Sequence, residues 1–150
     1  MIVNENDKTT VFCLEFMESL CAADLMVPNP LTVKPSDKIA MVDLFMVRNH
    51  IGGVPVVEHN GQGDKLIGIL THRDIVLSRF SITTGSLMVQ DLMSSPAVSC
   101  TPDASLKEIL RLMLENGVER LPVVDESNYL VGLISHGDIL QQVYNRLSDE

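Results

Sequence analysis

One nine-residue segment occurs twice in this chain, and this repetition restricts the possible folds more than any other feature of the sequence. The first copy reads GILTHRDIV at residues 68–76, and the second reads GLISHGDIL 64 positions later, at residues 132–140. In both copies a strand-like apolar run is followed by Thr or Ser and, three positions on, by Asp. An internal repeat of this kind predicts two similar structural units rather than one continuous domain.

The repetition extends upstream of these segments with an offset of 67 residues, since DLM stands at residues 24–26 and 91–93 and the runs VPVV and LPVV stand at residues 54–57 and 121–124. The offset then falls to 64 because the next segment of the first copy is three residues longer. That segment is rich in Gly, Asn and Asp, as hairpin loops are. The predicted organisation is an N-terminal extension (1–22), unit 1 (23–80), a linker (81–88) and unit 2 (89–150).

The spacing of apolar residues predicts the same secondary structure in both units. Ser36 and Asp103 stand just before apolar residues with helical periodicity, so we expect them to be the N-caps of helices that end near Asn49 and Asn116. Two short apolar runs then predict a hairpin, and a second helix begins at the Thr or Ser of the repeated segment. Each unit is therefore an extended lead-in, a helix, two strands and a helix, and the fold class is α+β.

Units of about 60 residues bury too little surface to be stable alone. We therefore expect the two units to pack face to face about a pseudo-twofold axis. The apolar residues of the extension, at positions 10–22, lie on several helical faces. They predict a helix that covers the module or contacts a dimer partner.

The charge and aromatic content exclude several classes of function. The chain has 11 basic against 20 acidic residues, a net charge of −9, four Phe, two Tyr and no Trp. Phosphate-backbone binding needs a basic surface and single strands need stacking side chains, so nucleic acid and anionic membranes are not expected partners. There is no signal-peptide pattern and no apolar run that could span a bilayer, which predicts a cytoplasmic protein.

Neither a metal site nor a catalytic site is expected. The three cysteines form no CxxC pair, which indicates reduced thiols, and the four histidines form no close cluster with other metal ligands. The sequence contains no G-x-S-x-G motif, no P-loop and no Cys/His arrangement suited to catalysis. We therefore predict that the protein is not an enzyme.

The repeated segment itself allows two interpretations. A Thr or Ser followed three residues later by an acid, directly after a strand, resembles a helix capping box and can be explained by helix stability alone. At a helix start that faces a cleft, the same Asp could instead accept both hydroxyl groups of a ribose, while free N–H groups bind an anion. An adenine ring would then need an apolar slot, for which residues 33, 51–55 and 118–122 supply aliphatic side chains.

This pattern resembles a tandem pair of CBS domains, the module named after cystathionine β-synthase. The resemblance rests on DLM at the start of each unit, on the Pro-Val-Val runs and on the pattern G-apolar-apolar-[ST]-x-x-D, and it covers residues 23–143. It implies a Bateman module, in which two β-α-β-β-α units meet through their sheets and form two clefts. Similar proteins bind AMP, ADP, ATP, S-adenosylmethionine or NAD-type ligands, so an adenosine nucleotide is the expected ligand.

The resemblance also implies roles for individual residues. Asp74 with Thr71, and Asp138 with Ser135, are the expected ribose and phosphate contacts of the two clefts. The other predicted nucleotide-binding residues are His72, Arg73, Arg120, His136, Val33, Ile51, Gly53, Val54, Pro55, Val118, Leu121, Pro122 and Cys100.

The two clefts are not expected to be equal. Gly52 and Gly53 of unit 1 correspond to Glu119 and Arg120 of unit 2. The resemblance implies that the residue two positions before the Pro reaches the ribose cleft of the other unit, which would bring Arg120 beside Asp74. We therefore predict that ligands carrying phosphate prefer the Asp74 cleft, although Glu119 could neutralise the guanidinium.

The resulting hypothesis is a homodimeric sensor that binds an adenosine ligand and alters an unidentified partner protein. A ligand shifts such a module toward the arrangement that it binds better. The alternative is a dimerisation scaffold of the same fold whose clefts stay empty.

Overall fold

The computed structural model describes residues 8–79 and 86–148 and contains the elements of two similar units in succession. Residues 81–85 of the predicted linker lie outside the described residues. The elements are α1 (Lys8–Ser19), α2 (Ala22–Leu25), β1 (Val27–Pro28), α3 (Ile39–Arg48), β2 (Gly53–His59), β3 (Asp64–Thr71), α4 (His72–Ser78), α5 (Val89–Leu92), α6 (Leu106–Asn116), β4 (Arg120–Val124), β5 (Leu130–Ser135) and α7 (His136–Ser148).

The strands form two antiparallel sheets, one for each unit. β2 pairs with β3 so that Gly53 lies opposite Thr71, and β4 pairs with β5 so that Arg120 lies opposite Ser135. Each hairpin has a register shift within the Val-Val pair that follows its Pro. This equivalence confirms the predicted α+β fold of two similar units. It also puts the repeated Thr and Ser at the end of the last strand of each unit.

The start of the lead-in of each unit, at residues 23–28 and 89–93, packs against the other unit. β1 pairs with β5, the last strand of unit 2, and Leu25 is buried in the same cluster as Ile134. In the other direction, Val89 is fully buried in the cluster that contains Leu70 of unit 1. Each structural core therefore contains residues from both sequence repeats, because the start of each lead-in crosses to the other unit.

The prediction that Ser36 and Asp103 are N-caps is wrong, since the N-cap of each helix lies two residues later. The N-cap of α3 is Lys38, which makes no side-chain cap. The N-cap of α6 is Ser105, whose hydroxyl accepts a hydrogen bond from the Glu108 N–H at 3.2 Å.

The crossing lead-ins explain why these helices begin later than predicted. The Ile39 N–H donates to the Leu87 carbonyl at 3.0 Å, and the Leu106 N–H donates to the Leu20 carbonyl at 3.0 Å. The first N–H groups of α3 and α6 thus have backbone partners just before the lead-in of the other unit, namely Leu87 at the end of the predicted linker and Leu20 in the N-terminal extension. Their need for a capping side chain in the preceding turn is correspondingly smaller.

Helix α1 lies on unit 2 and overlaps the segment 10–22 for which a helix was predicted, but it begins and ends earlier. It packs against α6, and the Arg146 guanidinium of α7 lies 4.8 Å from the centroid of the Phe16 ring. The N-terminal helix therefore covers part of the module. Its contact with a dimer partner stays a prediction.

None of the helices in the described part of the chain is both long and apolar enough to cross a membrane.

The outer helices α3, α6 and α7 keep large apolar side chains at the surface. These exposed residues include Met41, Leu44 and Val47 of α3, Leu110 and Leu114 of α6, and Leu140, Tyr144 and Leu147 of α7.

Candidate functional site

The repeated Thr/Ser and Asp form the same hydrogen-bonded capping box in both units. The Asp138 Oδ2 atom accepts hydrogen bonds from the Ser135 N–H at 2.7 Å and from the Ser135 hydroxyl at 2.8 Å. The Asp74 Oδ2 atom accepts the two corresponding bonds from Thr71, both at 2.8 Å. Among the described residues, no hydrogen bond reaches Oδ1 of either carboxylate. Helix capping thus occupies one oxygen of each Asp and leaves the other one for a ligand.

A cavity of about 340 Å³ lies between the two units at the Asp138 capping box. Its volume falls in the range of pockets that hold small ligands. It combines one carboxylate, one guanidinium and a hydroxyl with several aliphatic side chains. The residues that line it are Val27, Pro30, Leu31, His50, Ile51, Gly52, Gly53, Arg120, Leu133, Ser135 and Asp138.

The structure places Arg120 in the cleft of Asp138 and not, as expected, beside Asp74. Its side chain lies across Gly52 and Gly53: a Cβ added to Gly52 would collide with Nη2, and one added to Gly53 would lie 2.5 Å from Cδ. The reason is steric, because the two glycines leave an open surface on that side. The expectation that Arg120 lies beside Asp74 is therefore wrong.

Arg120 has only a weak partner for its charge. Its side chain is 25% exposed, and its one ion pair within residues 8–79 and 86–148 joins Nη1 to Glu119 Oε2 at 3.9 Å, with the Glu119 side chain 72% exposed. Among the described residues, no hydrogen bond is formed by the guanidinium. A guanidinium has five N–H donors, so this side chain retains most of its capacity to bind an anion.

The predicted residues on the Asp74 side are arranged differently. His72 points toward α3, where its Nδ1 lies 3.8 Å from Asp43 Oδ1. That oxygen is buried and has no hydrogen-bond partner in the described part of the chain, while the Arg79 guanidinium binds Asp43 Oδ2 at 2.7 Å. Arg73 is exposed, as is His136 at the start of α7.

Most of the predicted aliphatic slot belongs to the two cores and does not line the cavity. Ile51 and Gly53 do line it. β2 and β4 are buried along nearly their whole length, so their side chains pack inside the units. The predicted residues that are buried or half-buried in these cores are Val33, Val54, Pro55, Val118, Leu121 and Pro122.

Cys100 is a core residue and not a cavity residue. It lies in the cluster that contains Leu121 and Ile134. Burial raises the pKa of its thiol to about 11, and the nearby carboxylates of Glu108 and Asp103 add to the effect. The thiol therefore stays protonated near neutral pH and is a poor nucleophile.

Five cavity residues were not predicted from the sequence: Val27, Pro30, Leu31, His50 and Leu133. Three of them belong to the lead-in, whose crossing to unit 2 has no signature in the sequence. His50 had a signal, because the 67-residue offset sets it against Gly117. Gly117 adopts the left-handed conformation with φ 61°, and His50 does so with φ 54°. A residue other than glycine in this conformation is uncommon and marks a position of interest.

No group of three or more His, Cys, Asp or Glu side chains is placed to hold a metal ion within residues 8–79 and 86–148.

The sequence itself shows the family. The CBS domain profile matches this chain twice, at residues 22–80 and 89–145. The chain belongs to the CBS domain family. The predicted tandem CBS pair is thereby confirmed.

Known proteins similar to this CBS pair include both small and large ones. The CBS domain-containing protein YhcV of Bacillus subtilis is 37% identical over 128 residues, which are 85% of this chain and 86% of YhcV. The inosine-5'-monophosphate dehydrogenase of Methanocaldococcus jannaschii is 37% identical over 121 residues, which are 81% of this chain. This CBS pair spans only 23% of the length of that enzyme.

A solved structure shows the same fold with a ligand. The crystal structure of CBSX2 from Arabidopsis thaliana in complex with AMP matches this CBS pair with a TM-score of 0.74 at 27% identity. The match covers 85% of this chain and 98% of that one.

Proposed function

We propose that this CBS pair is a regulatory module that binds an adenosine-containing ligand between its units and transmits the occupancy to a partner protein. The observation that carries this proposal is the cavity at Asp138, whose lining comes from both units. Support comes from CBSX2, a similar protein whose structure contains AMP. We propose AMP, ADP or ATP as the ligand, ahead of S-adenosylmethionine and NAD.

The chemistry of the cavity suits a nucleoside. The Oδ1 atom of Asp138 can accept the hydroxyl groups of a ribose, since Oδ2 already holds Ser135. Val27, Leu31 and Ile51 offer an aliphatic surface to a flat base. Asp74 with Thr71 remains a proposed second ribose site, because its capping box has the same hydrogen bonds.

Transmission follows from the position of the cavity between the units. A ligand that contacts both units stabilises the relative arrangement in which its contacts are best. The exposed apolar faces of the outer helices are suited to homodimerisation, through which such a change would reach a partner. Under this proposal the CBS pair is a sensor and not an enzyme.

The test is a thermal-shift screen with AMP, ADP, ATP, S-adenosylmethionine and NADH. A ligand at 100 times its dissociation constant adds about 2.7 kcal/mol to the free energy of unfolding. We expect at least one adenosine nucleotide to raise the unfolding midpoint, and we expect Asp138→Asn to reduce the shift. The matched control is Asp64→Asn, a carboxylate at the start of β3 that pairs with His59 at the end of β2 at a distance of 3.0 Å, outside the cavity lining.

The second candidate is a dimerisation scaffold with empty clefts. It is favoured by the finding that Asp74 and Asp138 both cap helices, which by itself gives them a structural role. No shift with any of the five ligands, together with a stable dimer in solution, would support the scaffold and reject the sensor.

A further inference from the structure

We propose that the two clefts differ in ligand class: the Asp138 cleft binds one phosphate-bearing nucleoside per chain, and Arg120 selects the phosphate. The Asp74 cleft does not accept the same ligand. This inference rests on the proposed function and adds to it the chemical class, the stoichiometry and the residue responsible.

The charge of Arg120 is poorly paired in the cavity. Its guanidinium lines the cavity together with Asp138 and Ser135, and its only ion pair within the described residues is the one to Glu119 at 3.9 Å. A pair of this length with a well-exposed carboxylate is screened by solvent and contributes little. A phosphate oxygen would provide the short, charge-assisted hydrogen bonds that the guanidinium lacks.

The Arg120 side chain lies in the space left by the missing side chains of Gly52 and Gly53. A side chain at Gly52 or Gly53 would occupy the volume of the Arg120 guanidinium and Cδ. Two adjacent glycines in unit 1 are therefore required for the arginine of unit 2 to lie in this cleft. Glycine at both positions also means that these two residues add no side-chain charge to the cleft.

The two units also differ at the position next to the capping box. The Gly52 carbonyl accepts the His72 N–H at 2.9 Å, and the Glu119 carbonyl accepts the His136 N–H at 3.1 Å. Glu119 is thus the structural counterpart of Gly52, at the position next to a capping box. Arg120 is the counterpart of Gly53, and because it lies in the Asp138 cleft its guanidinium is not beside Asp74 to bind a phosphate there.

The helices that start at the two capping boxes also differ. α7 has 13 residues, whereas α4 has only seven. The N-terminal end of the longer helix provides a well-formed positive dipole end beside Arg120. Charge and helix length therefore favour the same cleft for an anion, and this is the opposite of the assignment expected from the sequence.

The experiment is isothermal titration calorimetry with AMP and with adenosine, two probes that differ only in the phosphate. We expect the unaltered protein to bind one AMP per chain. Arg120→Met, which keeps the aliphatic stem, should weaken AMP binding by about 10- to 100-fold, the range for charge-assisted hydrogen bonds. The same variant should change adenosine binding by less than about twofold, since no phosphate contact is lost. Arg120→Lys, which keeps the charge, should retain part of the preference for AMP.

The rival assignment to the Asp74 side is tested by Arg73→Met, which removes the exposed arginine predicted from the sequence to bind the nucleotide there. Under this inference the variant changes neither affinity. Two AMP molecules per chain, a loss of AMP affinity in Arg73→Met, or an equal loss of AMP and adenosine in Arg120→Met would overturn this inference while leaving the proposed function in place. If the unaltered protein bound neither probe, this inference would be rejected, whereas the proposed function would be rejected only if none of the five ligands of the thermal-shift screen bound.

Discussion

Three glycines of the repeated segment show how differently the same residue type is constrained at the residue scale. A Cβ on Gly68 would lie 2.5 Å from the Ser94 carbonyl oxygen, which belongs to the backbone and cannot move easily. A Cβ on Gly132 would collide with the side chain of Met26. A Cβ on Gly137 would meet only the Ser135 hydroxyl, at 3.6 Å. The first two glycines are required where a crossing lead-in touches a strand, whereas Gly137 is not required by packing.

We predict that Gly68→Ala lowers the free energy of unfolding by about 2 kcal/mol, because the backbone of the lead-in must shift to admit a methyl group. The control is Gly137→Ala, which should raise the free energy of unfolding by up to about 1 kcal/mol because alanine favours the helix. Urea denaturation of both variants measures the difference. Equal stabilities would show that the lead-in does not constrain the strand.

At the scale of single elements, α3 and α6 occupy equivalent places in the two units, but their ends are capped differently. α6 has a side-chain cap at Ser105 and a left-handed glycine, Gly117, after its last residue. α3 has no side-chain cap at Lys38, and His50 takes the left-handed conformation. α6 therefore has the more favourable ends, and α3 depends more on the packing of its buried face.

A single hydroxyl tests which residue caps these helices. Ser105→Ala should lower the free energy of unfolding by about 1 kcal/mol, since the Glu108 N–H loses its partner. Ser36→Ala, the same change at the position where the sequence predicts a cap, should alter it by less than about 0.5 kcal/mol. Thermal unfolding of the two variants gives the comparison. A larger loss of stability in Ser36→Ala than in Ser105→Ala would support Ser36 as the N-cap of α3, as predicted from the sequence.

At the scale of the whole molecule, the exchange of lead-ins makes the two units interdependent. The core of unit 1 needs Val89, and the core of unit 2 needs Leu25, each from the other sequence repeat. A break between the repeats therefore removes part of both cores. This exchange gives a structural reason for the expected failure of either unit to fold alone.

Two fragments separate the sequence repeat from the structural core. Residues 23–80 form the first repeat but lack Val89, whereas residues 27–93 contain every residue of the unit 1 core cluster. We expect the first fragment to be unfolded and the second to show greater dispersion of amide proton shifts and more helical circular dichroism. Loss of one buried valine alone costs about 2 kcal/mol, a large part of the stability of so small a domain. Equal disorder in both fragments would mean that the unit 1 core is not sufficient without unit 2.

Parts of the site were predictable because they depend on neighbours in the chain. The capping boxes at Thr71 and Ser135 span four residues each, so sequence spacing alone placed the helix starts and the carboxylates. Ile51 and Gly53 were predicted from a short aliphatic run and from the position two residues before a Pro. The cavity residues from the lead-in were missed because the crossing of this segment to the other unit has no signature in the sequence.

The sequence by itself determined that this protein has two equivalent units, since the repeat, the hairpins and the capping boxes are all encoded by local spacing. Only the tertiary structure decided which lead-in completes which core and into which cleft Arg120 falls. Both outcomes depend on contacts between residues far apart in the chain: hydrogen bonds from crossing segments in one case, and the space above Gly52 and Gly53 in the other. Periodicity within one sequence carries no information about such contacts, because the same local pattern is compatible with either partner.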